Sequence, residues 1–361
     1  MRRLSTALCR LVSVTVVALA VAFLAGAGVV AAHVSTPTSA PELFSRAISD
    51  PPGSTLNEKR VAQLPEDWPG GPVKTSTGET VTVFVSPSLG PGVTPESWAE
   101  FIAHLTHGPE LAKLTAYFGT LDEVQQLCGA QALGCYGQNQ LVAFGEPLID
   151  GVTPPEVVRH EYGHHIAFNR VNPPWIAVDW GPKDWASAIG VCRRVTEGNA
   201  FPGDEGVHYD QNPGEAWAET YRLMDERKNG ISTQTWTIVS PTFFPNDAAY
   251  TAAEQDVLHP WTADRSTTVR KQFTKSGKKT WLVPFQTPLD GALSVSAALP
   301  RGSRADVALL SSNAKTVLRH ATPTGPRTKQ LTTTVCGQRS LYVRVTSKGT
   351  PGRVSVTTAV P

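Results

Sequence analysis

Five consecutive residues combine side chains that can bind a metal ion and transfer a proton: His160-Glu161-Tyr162-Gly163-His164. Residues four apart lie on one face of a helix, so the imidazoles of His160 and His164 can bind one metal ion. Glu161, between them, is then placed to act as a general base towards a water molecule. The alternative is a surface helix with two solvated histidines and Glu161 in a salt bridge. The pattern favours a Zn²⁺ site.

The sequence around this motif predicts a helix over residues 154–170. Thr153-Pro154-Pro155-Glu156 has the pattern of a capping box with proline in the first turn. Asn172-Pro173-Pro174 ends the helical pattern. Both histidines therefore fall within one continuous helix.

A catalytic zinc ion takes three protein ligands and leaves a fourth position open. A second predicted helix, over residues 213–228, carries Glu215 and Glu219 one turn apart. Glu215 is the predicted third ligand, and Glu219 is predicted to accept the N–H of a ligand histidine. The alternatives are a helix-capping role for Glu215 and a surface ion pair between Glu219 and Arg222. Three less well placed candidates for the third ligand lie in a loop flanked by Pro and Gly: Asp204, Glu205 and His208.

The two predicted helices together resemble the gluzincin metallopeptidases. The run from Glu215 to Glu219, Glu-x-x-Ala-Glu, is similar to the lethal-factor-like type, and the helices with their connecting loop also resemble exported bacterial metallopeptidase-like proteins. The resemblance implies a zincin-like fold, Zn²⁺ as the cofactor, Glu215 as a ligand and a peptide or protein substrate. It also implies a catalytic tyrosine that stabilises the oxyanion. Tyr209, six residues before Glu215, is the candidate, with His208 and His165 as alternatives.

The chain of 361 residues is long enough for two domains, and its charge divides accordingly. Residues 33–264 have a net charge of −16 and residues 265–361 have a net charge of +14. We expect an α+β zincin-like metallopeptidase domain over 76–264, preceded by a linker or pro-like arm over 33–75. Short β-prone runs over 265–361 predict a small, basic all-β sandwich as an accessory domain.

The basic domain has two interpretations. It binds an anionic cell-wall polymer, or its charge complements the acidic domain. Nucleic acid is not expected as a partner, because the region has no basic stripe rich in aromatic residues.

Within residues 76–264, five further elements are predicted. They are strands at 80–85, 114–118 and 140–144, and helices at 95–105 and 121–127. The strand at 140–144 either lies in the core or pairs with an extended substrate at the edge of a sheet.

Residues 1–32 have the basic start and apolar run of a signal peptide, and the apolar run is long enough to be a signal anchor instead. We therefore expect a secreted, extracellular protein or one anchored to the membrane. Four cysteines remain after this segment. Cys128 and Cys135 are expected to form a local disulfide bond, while Cys192 and Cys336 form either a second one or two separate thiols.

These observations predict a secreted zinc-dependent peptidase. One alternative is a non-catalytic envelope-binding or adhesion protein that has a structural metal site. Another is a zinc hydrolase of non-peptide amides.

Overall fold

The computed structural model describes residues 64–146, 152–231, 238–274 and 278–361. The expected signal segment 1–32 and most of the arm 33–75 lie outside the described residues. None of the described helices is both long enough and apolar enough to cross a membrane.

The first part of the chain builds a mixed sheet of five strands in the order β1-β2-β3-β5-β4. Strands β2, β3 and β5 are parallel, whereas β1 and β4 pair antiparallel at the two edges. The bounds are β1 Gly70–Lys74, β2 Thr80–Val85, β3 Thr115–Gly119, β4 Gly134–Gly137 and β5 Gln140–Phe144. In β2 the alternate residues Val81, Val83 and Val85 are buried, which is the expected period for a sheet face on a core.

Two strands differ from the sequence-based expectations. Strand β1 lies within the segment expected to be a linker or arm, and it is hydrogen-bonded to β2 along its whole length. Strand β4 was not predicted, because Gly-Cys-Tyr-Gly is short and has no apolar alternation. Since β4 covers the outer side of β5, the strand at 140–144 is an interior strand, and the expectation that it pairs with substrate is wrong.

Eight α-helices occur in the described residues of this first part. Their bounds are α1 Pro95–Ala103, α2 Leu121–Cys128, α3 Pro154–Phe168, α4 Ala177–Trp180, α5 Lys183–Ile189, α6 Val191–Thr196, α7 Pro213–Lys228 and α8 Asp247–Leu258. Helix α3 is capped by Thr153, whose backbone N–H donates to Glu156 Oε2 at 2.9 Å as the capping box requires. Helix α7 is capped by Asn212, whose side chain accepts the backbone N–H of Gly214 at 3.0 Å. Both helices therefore start where the sequence predicts.

The remaining residues form a C-terminal β region of two antiparallel sheets. The sheets have the orders β10-β9-β13-β7 and β11-β12-β8-β14-β6. The bounds are β6 Arg265–Phe273, β7 Lys279–Gln286, β8 Gly291–Ala298, β9 Arg304–Leu310, β10 Val317–His320, β11 Thr322–Gly325, β12 Thr328–Val335, β13 Ser340–Lys348 and β14 Gly352–Val360. Buried side chains of both sheets, such as Val295, Leu309 and Val343, form one hydrophobic cluster separate from that of the first part.

The two parts of the chain are joined by a disulfide bond and by polar contacts around Asp290. Cys192 of α6 is bonded to Cys336, and Cys128 is bonded to Cys135, so both disulfide bonds are present. The backbone N–H of Asp290 donates to Ser187 Oγ at 2.9 Å, and its carbonyl accepts from Lys183 Nζ at 3.1 Å. The C-terminal β region is therefore held at α5 and α6.

Removing the Cys192–Cys336 bond should cost more stability than removing the Cys128–Cys135 bond. The bonded residues are 144 apart in the first case and 7 apart in the second. Since a larger closed loop restricts the unfolded chain more, loop entropy gives losses of about 5 and about 2.5 kcal/mol. Denaturant unfolding of Cys192→Ala/Cys336→Ala and of Cys128→Ala/Cys135→Ala measures both values. Equal losses, or losses in the reverse order, would contradict this placement.

Lys183 is a buried amine at the junction of the two parts, 1% exposed. Its Nζ donates to the carbonyl oxygen of Pro173 at 2.6 Å and to that of Asp290 at 3.1 Å. Burial lowers the pKa of Lys183 to about 8, and nearby carboxylates, Asp264 first, offset this only in part. Since an unfolded lysine has a pKa of about 10.4, the unfolded chain binds more protons than the folded one between about pH 8 and pH 10.4.

The free energy of unfolding should therefore rise with pH across that window through Lys183. We expect the stability of the wild type to increase relative to Lys183→Met by about 3 kcal/mol between pH 7.5 and 10.5. Denaturant unfolding of both proteins at several pH values measures this difference, and groups common to both cancel. A difference that does not change with pH would show that Lys183 keeps its ordinary pKa in the folded state.

Candidate metal centre

The site forms where α3 and α7 pass unusually close to each other. A Cβ atom on Gly163 would lie 2.7 Å from Ala218 Cα, which leaves no room for a side chain there. The indole N–H of Trp217 donates to the carbonyl oxygen of Gly163 at 2.7 Å and fixes this approach. The close contact carries Glu215, at the start of α7, to the face of α3 that presents the two histidines.

The donor atoms of three side chains from these helices converge on one point. His160 Nε2 lies 3.1 Å from Glu215 Oε2, His164 Nε2 lies 3.4 Å from Glu215 Oε1, and the two Nε2 atoms are 3.2 Å apart. Donors bound at about 2.0–2.1 Å in a tetrahedron lie about 3.3 Å from one another, so the separations suit one small cation. Among the described residues, no other group of three His, Cys, Asp or Glu side chains gathers in this way.

The electrostatic environment of the three side chains favours a positive charge at the point where they meet. Burial opposes protonation of His160, but its hydrogen bond to Glu215 and its close contact with the Glu219 carboxylate outweigh burial and raise its pKa to about 10. For Glu215 too, burial acts against the charged form, yet His164 and His160 hold its pKa well below the usual range. A divalent cation bound to the same atoms would supply this positive charge, so the donor set fits a metal ion.

Glu219 lies behind the donor set, next to His160. Its Oε2 is 3.6 Å from His160 Nδ1, as expected for a carboxylate that orients a ligand histidine. Arg222 donates two hydrogen bonds to the carboxylate of Glu219, from Nε at 3.0 Å and from Nη2 at 2.6 Å. The alternative of a surface ion pair is wrong, because both side chains are completely buried.

Glu161 and Tyr209 lie on the walls of the cleft that opens onto the donor set. The cleft has a volume of about 690 Å³. Glu161 is 7% exposed, and a Cβ atom on Gly134 of β4 would lie 3.0 Å from its Oε1. The hydroxyl of Tyr209 donates to Glu215 Oε2 at 2.7 Å, so it reaches the donor set directly.

The other candidates do not join the donor set. Asp204 and His208 bond to each other at 2.8 Å on their own loop. Glu205 accepts from the side chain of Asn212 and lies on the rim of the cleft. His165 points away: its Nε2 lies 2.9 Å from the carbonyl oxygen of Glu110, and its Nδ1 lies 3.0 Å from a tyrosine hydroxyl. Of the three groups considered for the oxyanion, only Tyr209 lines the cleft.

Two walls of the cleft were not foreseen from the sequence. One is the segment from Cys128 to Tyr136, closed by its disulfide bond and ending in β4. The other includes Val178 and Asp179 of α4, inside the tryptophan-rich segment. Small residues and isolated tryptophans give no periodic signal, so only the folded chain places them beside the site.

No protein-family model matches the chain, and no curated protein matches it. Among solved structures, the chain is similar to the pre-peptidase C-terminal domain of a collagenase from Bacillus anthracis, with 10% identity and a TM-score of 0.20, over 26% of this chain and 86% of that one. It is also similar to the IMPa metallopeptidase in complex with T-antigen, with 10% identity and a TM-score of 0.19, over 74% of this chain and 40% of that one. A structure of IMPa from Pseudomonas aeruginosa in complex with an O-glycopeptide has 10% identity and a TM-score of 0.17, over 74% and 39% of the two chains.

The chain thus spans about 40% of the length of the IMPa metallopeptidase structures. All three TM-scores lie below 0.5. Functional conclusions therefore depend on the residues of the site and not on these similarities.

Proposed function

We propose that this chain is a secreted zinc-dependent peptidase, with a zincin-like domain of the gluzincin type followed by a β-sandwich accessory domain. The supporting observation is the convergence of His160 Nε2, His164 Nε2 and the Glu215 carboxylate within 3.1–3.4 Å at the floor of a cleft. Two imidazoles and one carboxylate are a donor set typical of catalytic zinc. The two disulfide bonds are typical of proteins outside the cytoplasm.

A zinc ion at this donor set would polarise a carbonyl group and lower the pKa of a water molecule towards about 7. Glu161 is the general base in the proposed reaction. Its carboxylate accepts the proton of the attacking water and delivers it to the leaving amine. Because the side chain is largely buried at the cleft wall, it acts at the reacting atoms and not in bulk solvent.

Tyr209 is the proposed donor to the oxyanion. Burial and the negative charge of Glu215 raise the pKa of its hydroxyl well above the usual value, so it keeps its proton at neutral pH. The bond to Glu215 Oε2 holds the hydroxyl beside the donor set until a substrate oxygen accepts it.

Strand β4 is the proposed substrate-binding edge, in place of β5. In an antiparallel pair of strands, opposite residues are alternately hydrogen-bonded and not hydrogen-bonded to each other. The backbone N–H of Phe144 donates to the carbonyl of Leu133 at 3.1 Å, so Gly134 and Tyr136, one and three residues further along, are at non-bonded positions. Their backbone N–H and C=O groups therefore point away from β5. An extended peptide pairing with them would pass beside Glu161.

Cleavage of casein and of a peptide library, with and without a zinc chelator, tests the proposal. We expect cleavage that stops with the chelator and returns when zinc is added. Cell-envelope fragments in a parallel assay separate a peptidase from a hydrolase of non-peptide amides. Zinc binding without cleavage of any of these substrates would favour a binding protein with a structural metal site.

A further inference from the structure

Eight of the sixteen Lys and Arg residues of the C-terminal β region lie at one end of it. Strands β6, β8 and β13 finish at this end, and β7, β9, β12 and β14 start there. It is opposite the end at which Asp290 and Cys336 contact α5 and α6. We call it the basic pole and define it by eight residues: Lys271, Lys278, Lys279, Arg301, Arg304, Arg327, Lys348 and Arg353.

The register of the strands brings these residues together across both sheets. Lys348 of β13 is the direct partner of Arg304 of β9, a like-charge pair that weakens a sheet. The hydroxyl of Thr350 donates to the carbonyl of Arg301 at 2.7 Å and joins the turn before β9 to the turn before β14. Arg353 is the second residue of β14 and therefore belongs to the same surface.

The charge of the basic pole is not neutralised within the described chain. Seven of the eight side chains are exposed, and Lys279 is half-buried. Residues 265–361 contain two acids, Asp290 and Asp306. Arg339 binds Asp290 at 2.6 Å at the opposite end, and His320 binds Asp306 at 2.8 Å. Among the described residues, no ion pair joins a carboxylate to the basic pole.

Contact with the acidic part of the chain does not account for this charge. At the junction, Lys183 Nζ and Arg339 Nη2 each donate to a backbone carbonyl of the other part, and the Asp290 carboxylate pairs with Arg339 of its own region. In the part of the chain that the structure describes, no ion pair joins the C-terminal β region to the acidic part. Since the basic pole lies at the far end, its positive charge is available to another molecule.

We propose that the basic pole binds an anionic polysaccharide. Several cations spread over two sheet ends suit a flexible polymer with repeated carboxylate, sulfate or phosphate groups. Single-stranded nucleic acid is usually bound with exposed aromatic side chains, but the rings that lie against basic-pole lysines are not exposed: Phe273 is buried and Trp281 is half-buried. The exposed large apolar side chains of this region, Leu282 and Val317, are not part of the basic pole, so it has no apolar group to insert into a membrane.

Binding of the full chain to dextran sulfate tests this proposal, with neutral dextran as the uncharged control. We expect binding that weakens steeply as salt rises, since exposed charges are screened. Replacing four arginines and lysines of the basic pole with glutamine should weaken binding at least about tenfold. The substitutions are Arg301→Gln, Arg304→Gln, Lys348→Gln and Arg353→Gln.

A control variant removes the same number of charges elsewhere and should bind dextran sulfate within about twofold of the wild type, because exposed charges beyond a Debye length act weakly. Its substitutions are Lys74→Gln, Arg193→Gln, Lys315→Gln and Arg319→Gln. The proposal is overturned if the chain does not bind, or if both variants lose affinity equally. It is also overturned if a single-stranded oligonucleotide of matched charge, or a vesicle with anionic lipid, binds more tightly than dextran sulfate. None of these results depends on peptidase activity.

Discussion

Glu161→Gln should abolish hydrolysis while leaving metal binding intact. The amide keeps the size of the carboxylate but cannot accept the proton of the attacking water, so we expect kcat to fall by about 10²–10⁴-fold. Glu161 is not one of the three converging donors, and the metal content should therefore remain that of the wild type. Peptide cleavage and metal analysis on the same preparation measure both quantities.

The matched control is Glu205→Gln, which makes the same change to a carboxylate on the rim of the cleft. We expect it to retain most of the activity. A Glu161→Gln protein that cleaves peptides at the rate of the wild type would rule out the proposed base.

His160→Ala should lose both the metal ion and the activity. The substitution removes one of three donors and one partner of each buried carboxylate, while Glu215 keeps His164 and Glu219 keeps Arg222. Because a buried polar contact is lost but neither charge is left unpaired, we also expect a loss of stability of about 1–3 kcal/mol. Metal analysis, chelator competition and denaturant unfolding measure the three effects.

His165→Ala is the control for this substitution. His165 lies on the same helix and is fully buried, but its ring bonds to the carbonyl of Glu110 and to Tyr136. This variant should lose stability and keep its metal ion. If His165→Ala loses the ion and His160→Ala retains it, the assignment of the ligands is wrong.

The sequence predicted the parts of the site that depend on spacing within one helix. His160 and His164 share a face because they are four residues apart, and Glu215 and Glu219 follow the same rule on α7. What the sequence could not show is how closely the helices approach, which depends on Gly163 lying against Ala218. Glycine can occur in a helix for many reasons, and Ala218, the residue against which Gly163 packs, is 55 positions further along the chain.

The burial of charged residues was also beyond the sequence. Arginine is rarely fully buried, so a surface pair with Glu219 was the natural alternative for Arg222. In the folded protein, Arg222 bonds to both Glu219 and Glu226 inside the core. The same limit applies to the edge strand β4, whose four residues form a strand through pairing with β5. Local sequence encodes neither feature, since both arise from partners distant in the chain.

The fold class was predicted in its broad form. Helices and a mixed sheet come first and a β-rich region follows, as the change in hydrophobic pattern near residue 265 indicates. The sequence also gives the net charge of residues 265–361, but it does not show that the eight residues of the basic pole lie at one end. That distribution follows from strand register, which places Arg304 opposite Lys348 although they are far apart in sequence.

Anomalous X-ray diffraction at the zinc absorption edge, on crystals of the full chain grown with zinc, tests the central claim most directly. The account predicts one strong peak at bonding distance, about 2.0–2.2 Å, from His160 Nε2, His164 Nε2 and a carboxylate oxygen of Glu215. It would be contradicted by the absence of a peak between α3 and α7, or by a peak at other side chains while these three remain in contact only with one another.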